Sequence, residues 1–203
     1  MLYFDFDGTL VDVWQRFYHI FKDASGIPEI SFEDYVQAKK QIVRDADVAL
    51  HFGANLPEDY WVKKRSMLED PAYLAFDRLL LPAEQISSFF ENYECRILTN
   101  RRNPEAFKAQ LSALGLEPLL EKCVVLNPDN KKSKAQYLRE KHPNEQGCLV
   151  GDAEAEAQAA ETGAVRVVLV RTGLRTPETI PCADKCEIID SVSDFMNAFK
   201  ERV

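Results

Sequence analysis

Short apolar runs alternate along most of the chain with longer stretches whose apolar residues recur every three or four positions. Runs at residues 2–6, 95–99, 123–126, 148–150, 165–170 and 187–189 read as strands. Between them, the spacing predicts helices over about 82–93, from Asn103-Pro104 to a stop at Gly115, and over 133–141, 153–162 and 192–202. Strands that alternate with helices predict an α/β fold: a Rossmann-like parallel sheet with helices on both faces and right-handed crossovers. The chemistry of such a sheet sits where the loops leave its strands.

One stretch breaks this alternation. From about Trp14 to Leu79 the pattern is helical almost throughout. Phe17, Ile20, Phe21 and Ala24 form one stripe, which Ser25-Gly26-Ile27-Pro28 ends. Ser31, with Asp34 three positions later, opens a second helix carrying Tyr35, Ala38 and Ile42. A third helix runs from about Pro57 through Trp61 to Met67, and Asp70-Pro71 starts a short further piece towards Leu79. Residues 14–79 are therefore expected to be a helical insertion, with 1–13 and 80–203 forming the α/β core. The aromatic residues crowded into the insertion are expected to pack between its helices.

The first strand stops abruptly at Asp7-Gly8-Thr9. Asp5 and Asp7 are two residues apart, so an extended strand would place them on one side, about 6.6 Å from each other by strand rise. Carboxylates at the end of a buried strand are costly to desolvate, and a bound cation is the usual compensation.

Composition narrows the partners. A net charge of −8 over 203 residues lacks the basic footprint of a general nucleic-acid or anionic-membrane binder. An anionic substrate would have to be held by local charge. No apolar stretch approaches a membrane span, and a motif-bearing strand at residue 2 leaves no room for a signal peptide, so the expected compartment is the cytoplasm. Of five cysteines, Cys95, Cys123 and Cys148 fall in or beside strand-like runs and read as small core residues. Cys182 and Cys186 have no second Cys or His pair nearby to complete a metal site.

Four strand ends carry reactive side chains: Asp5 and Asp7; Thr99-Asn100; the lysines Lys131, Lys132 and Lys134; and Gly151-Asp152. In a parallel sheet these converge on one edge, supplying a nucleophile, an acid/base group, a hydroxyl, a cation and a further carboxylate. Phosphoryl transfer through a covalent intermediate requires such a set. Asp5-Phe6-Asp7-Gly8-Thr9-Leu10-Val11, Ile97-Leu98-Thr99-Asn100, a lysine opening a helix, and Val150-Gly151-Asp152 with an acid four further on resemble, in order, the four motifs of the haloacid dehalogenase-like hydrolase superfamily.

The resemblance implies a Mg2+-dependent phosphatase acting on a small phosphorylated metabolite. Asp5 would be the nucleophile, forming an aspartyl-phosphate, and Asp7 the general acid and base. Mg2+ would be held by the Asp5 carboxylate, the Asp7 backbone carbonyl and Asp152. Gly8, Thr99, Asn100 and a lysine would hold the phosphate, with Thr99 and the lysine offsetting its developing charge. Lys134 is favoured because Ser133-Lys134-Ala135 opens a helix, with Lys131 the runner-up. Glu156 stands where the family usually has Asp and would orient metal-bound water rather than ligate directly. The insertion would be a helical cap, as in proteins similar to phosphoglycolate phosphatase, with Arg16, His19, Lys39, Arg44 and His51 as unranked specificity candidates. Arg101 and Arg102 read as surface arginines at a helix start, with a second substrate anion as the alternative. A phosphomutase of the β-phosphoglucomutase type would use the same Asp5 and Asp7, and an inactive binding protein is the third reading.

Overall fold

The computed structural model describes residues 1–27, 29–130, 132–143 and 147–201. Six parallel strands form the main sheet: β1 (Leu2–Phe4), β4 (Cys95–Asn100), β5 (Cys123–Leu126), β6 (Cys148–Gly151), β7 (Arg166–Val170) and β8 (Glu187–Ile189), in the spatial order β5-β4-β1-β6-β7-β8. Alternation of side chains along each strand divides the core into two layers. Leu2, Phe4, Ile97, Val150, Val168 and Val170 point into one apolar cluster, whereas Tyr3, Leu98, Leu149, Val167 and Leu169 point into the other. On the first face pack α6 (Ala83–Asn92), α7 (Pro104–Ala113) and α10 (Val192–Lys200), through Phe89, Leu111 and Met196. Leu138 of α8 (Lys134–Lys141) and Ala157 of α9 (Glu154–Ala160) cover the second.

The register puts the site at one edge. Phe4 lies level with Ile97 on one side and Val150 on the other, and the Asp5 backbone N–H donates to the Val150 carbonyl at 2.8 Å. Asp5, Thr99-Asn100 and Gly151-Asp152 thus leave neighbouring strands at the same end. The central strand β1 is where the chain order turns, from β4 and β5 on one side to β6, β7 and β8 on the other, and crevices form at such points.

Between the first strand and α6 lie α1 (Trp14–Ser25), α2 (Phe32–Gln41), α3 (Asp45–His51), α4 (Tyr60–Met67) and α5 (Pro71–Leu74); the first four share their own apolar cluster around Phe21, Tyr35, Val48 and Tyr60. α1 ends at Gly26, left-handed at φ 69°, and Ser31 caps α2 by accepting from the Asp34 N–H at 3.0 Å. The helix α3 has no counterpart in the sequence reading. Its organising residue is Asp45, buried and holding Lys39, Lys64 and the Tyr60 hydroxyl. The chain enters and leaves this segment through a two-stranded antiparallel ribbon of β2 (Val11–Asp12) and β3 (Arg78–Leu79), also unforeseen because two-residue strands leave no pattern.

Among the described residues no helix is long and apolar enough to cross a membrane. Cys95 and Cys148 are buried, Cys123 is half-buried at the start of β5, and all five cysteines are unbridged. The predicted last helix stops at Lys200, and Arg202 lies outside the described residues.

Candidate active site

Asp5 is the first residue beyond β1, and the chain around it is shaped for close approach. Gly8 adopts φ +74°, the left-handed region that Gly enters without cost, and donates its N–H back to the Val11 carbonyl at 2.8 Å. A side chain at Gly8 would also collide with Asp152, because its Cβ would lie 2.4 Å from Oδ2. Gly173, in the loop after β7, presses on the same carboxylate from another side, where a Cβ would come within 1.9 Å. Thr172 fixes that loop by donating its hydroxyl to the Gly8 carbonyl at 2.6 Å.

Around Asp5 the sheet gathers three carboxylates and one ammonium. Oxygens of Asp5, Asp152 and Glu156 all lie within 4.8 Å of one another. Lys134, at the first position of α8, is 3% exposed and donates to Asp5 Oδ1 and Glu156 Oε1, each at 2.6 Å. Its helix is well anchored: Ser133 and Gln136 form a reciprocal capping box. Of the three lysines considered, Lys134 therefore reaches the site. Lys132 pairs with Glu140 at the exposed surface, and Lys131 lies outside the described residues. Glu156 is part of the cluster itself; its second oxygen accepts from the Ala153 N–H at 3.1 Å.

Burial pushes the Asp5 carboxyl up to about 6 against the pull of Lys134, with Glu156 adding to the rise. Burial raises Asp152 well above the ordinary carboxylate range, and the charges of Asp5 and Glu156 raise it further. For Lys134 burial works the other way, but Asp5 and Glu156 overcome it and strengthen its hold on the proton. Three carboxylates against one ammonium leave a net negative pocket with closely spaced oxygens, the donor set that suits a hard divalent cation.

The Asp7 carboxylate faces elsewhere. Arg101 grips it bidentately, Nη1 to Oδ2 and Nη2 to Oδ1, both at 2.7 Å, and Arg16 of α1 reaches Oδ2 at 2.7 Å. Burial would raise the Asp7 pKa, yet the two guanidinium groups, Arg101 before Arg16, depress it below the usual range. A ring closes behind them. Arg16 Nε lies 3.2 Å from Asp77 Oδ1, Gln110 donates to Asp77 Oδ2 at 2.5 Å, and Arg101 Nη2 reaches Gln110 Oε1 at 3.5 Å. The sequence reading of Arg101 as a surface arginine is overturned: it is 6% exposed, because Asp7 and the Phe6 and Phe107 rings surround it. Arg102 does lie at the surface, with its Nε 3.3 Å from Asp129.

Of the cap candidates, only Arg16 enters this network. Lys39 is buried against Asp45, Arg44 pairs with Asp47 in solvent, His19 stacks on Phe76 and His51 lies against Phe52. The residues from the helical segment that reach the mouth were not singled out in the sequence. Glu69 accepts from the backbone N–H groups of Arg102 and Asn103 at 2.9 and 2.6 Å, and Leu68 accepts from Arg16. Thr99 is buried at the end of β4, and Asn100 is half-buried. Asn100, Asp7, Arg16, Arg101, Arg102 and Glu69 line a cavity of about 260 Å³.

A family model described as haloacid dehalogenase-like hydrolase matches residues 2–170. The chain belongs to the haloacid dehalogenase-like hydrolases. The same fold is present in a predicted phosphatase of Clostridium acetobutylicum (18% identity over 98% of this chain and 97% of that one, TM-score 0.69). It is present also in a predicted phosphoglycolate phosphatase of Haemophilus somnus (21%, 98% and 97%, 0.64). A candidate β-phosphoglucomutase of Thermotoga maritima shares it too (16%, 100% and 99%, 0.66). No curated protein matches. In this haloacid dehalogenase-like hydrolase the clustered carboxylates Asp5 and Asp152 lie at the carboxyl ends of adjacent strands.

Proposed function

We propose that this hydrolase cleaves phosphate monoesters of small metabolites, with Asp5 as nucleophile. The observation that carries the reading is Lys134, buried and bonded to Asp5 and Glu156 opposite Asp152. It places a fixed positive charge beside the attacking oxygen, where phosphoryl oxygens gather charge during transfer. A divalent cation, Mg2+ in this reading, would be held by Asp5 and Asp152 with the Asp7 backbone carbonyl, and Glu156 offers a further oxygen. When bound it supplies charge neutralisation for the phosphoryl group.

The steps for the chain's own residues follow. An Asp5 oxygen attacks phosphorus and the bond from phosphorus to the ester oxygen breaks, giving an aspartyl-phosphate and the alcohol, protonated by Asp7. Water then attacks the same phosphorus, the bond to Asp5 breaks, and Asp7 takes the water proton as inorganic phosphate leaves. In the present arrangement two arginines hold Asp7 ionised, so its carboxylate has to leave them to carry a proton to the alcohol in the first step and from water in the second. Thr99, Asn100 and Gly8 complete the phosphate pocket. The helices over residues 14–79 act as a cap that keeps bulk water out, strapped to the core by Glu69 and by Arg65 on Asp129.

The test is phosphate release from a panel of phosphorylated metabolites, with Mg2+ or with chelator, by wild type and Asp5→Asn. Metal-stimulated release by the wild type and none by the variant are expected. Release by a folded Asp5→Asn protein would remove Asp5 as nucleophile. Conversion of a hexose 1-phosphate to its 6-phosphate without free phosphate would instead assign the mutase reading.

A further inference from the structure

Asp7 is held by two arginines, one of which also pairs with Asp77 behind it. Arg16 and Arg101 are 1% and 6% exposed, and both line the 260 Å³ cavity that opens at Asp7, two residues on from the proposed nucleophile. Arg102 borders it as a third cation. Against these stand Asp7 and Glu69 at the cavity and Asp77 behind it; Glu69 is committed to the backbone N–H groups of Arg102 and Asn103, and Asp77 to Arg16 and Gln110. Asp7 is also the one member of the ring with solvent access, at 24% for its side chain. The guanidinium pair therefore presents fork-shaped donors to a cavity wall, covered only by a carboxylate that sits at the mouth.

We propose that Arg16 and Arg101 form a subsite for a second anionic group on the leaving portion of the substrate, a carboxylate or a further phosphate, which takes the place of the Asp7 carboxylate on the two guanidiniums. This rests on the reading of Asp5 as the phosphate end of the site. The exchange conserves charge, one anion for another on the same donors, and guanidinium forks match carboxylate and phosphate alike. The ring behind remains to hold the arginines in place: Asp77 keeps Arg16, and Gln110 with the Phe6 and Phe107 faces keeps Arg101. Substrates with a neutral tail leave the arginines on Asp7. A cavity of this volume lies below the range of drug-sized pockets and holds only a small anionic group.

The experiment compares three non-hydrolysable probes of similar length by calorimetry: propylphosphonate with a neutral tail, phosphonopropanoate with a carboxylate, and propane bisphosphonate. Each is titrated into wild type, Arg101→Lys and Arg16→Lys, with and without Mg2+, after melting curves confirm folding. At least one doubly anionic probe binds about tenfold or more tightly than propylphosphonate to wild type, and which one does so separates the carboxylate from the phosphate source. Both lysine variants, which lose the fork, lose most of that preference while keeping their affinity for propylphosphonate. Equal binding of the three probes to wild type overturns the proposal without any variant, as does a preference that survives both substitutions. A retained preference in a protein that hydrolyses no ester supports the subsite and refutes the phosphatase reading, whereas hydrolysis with no preference does the reverse.

Discussion

Replacing Lys134 with Met tests whether the acidic cluster depends on its ammonium. The substitution keeps most of the apolar stem and removes the charge that bridges Asp5 and Glu156 at 2.6 Å each. Asp5, Asp152 and Glu156, 8%, 6% and 1% exposed, are then left facing one another without that cation. Removing one partner of a buried pair costs about 3–5 kcal/mol. In a domain of this length a kcal/mol moves the melting temperature by about 2–4 °C, so a loss of about 6–20 °C is expected in chelator at pH 8. The loss shrinks towards pH 5. With Lys134 present Asp5 already titrates at about 6, and without it the carboxyls take up protons more readily and relieve their own repulsion. If the cluster holds Mg2+ as proposed, the ion is expected to raise the melting temperature of Lys134→Met more than that of wild type, since a ligand of the folded cluster alone stabilises it. Differential scanning calorimetry across pH, with and without Mg2+, reads all three effects. A variant melting within about 2 °C of wild type at pH 8 in chelator would refute the electrostatic account.

Two further substitutions probe the surroundings. Gly173→Ala puts a Cβ 1.9 Å from Asp152 Oδ2, so either the loop or the carboxylate must move; a destabilisation of about 1–3 kcal/mol and a weakened Mg2+-induced rise in melting temperature are expected, and an unchanged rise would show the cradle to be dispensable. Asp77 is lifted to about 7 chiefly by burial, against the pull of Arg16. A raised carboxyl pKa means the folded state keeps the proton longer than the unfolded chain, so stability falls as pH climbs from about 4 to about 7. Asp77→Asn removes that fall: its melting temperature relative to wild type rises across this window and levels off above it, by an amount on the order of 4 kcal/mol. A difference independent of pH would mean that Asp77 is already ionised at pH 4.

The parallel sheet was readable because its strands are short apolar runs bounded by turns, and the runs at Cys123–Leu126 and Glu187–Ile189 coincide with the observed strands. The order of Asp5, Thr99, Lys134 and Asp152 was readable because a parallel sheet brings its loops to one edge whatever their separation in sequence. What escaped was pairing across long distances. Arg101 meets Asp7 over 94 residues, and no local periodicity distinguishes a buried arginine from an exposed one at a helix start. α3 escaped for a related reason: in seven residues, Val48 and Ala49 make too short a stripe to announce a helix held mainly by Asp45 and its distant lysines. Glu69 and Asp77 sit in turns where acids are commonplace, and their work is visible only once the backbone N–H groups of Arg102 and Asn103, and the Arg16 guanidinium, are beside them.

The ribbon of Val11–Asp12 and Arg78–Leu79 carries a consequence for how such a protein can diversify. Its two strands run antiparallel, with Val11 opposite Leu79 and Asp12 opposite Arg78. The chain therefore leaves the sheet and returns to it at one spot, and everything between is a parenthesis in the fold. A tight turn joining Asp12 to Arg78 would close a hairpin and leave every pairing of the six-stranded sheet intact. The helices can then be exchanged, lengthened or rebuilt while the strand ends stay in register. Arg16 and Asp77 near the two ends of the parenthesis, with Arg65 and Glu69 further in, tie its wording to the sentence around it.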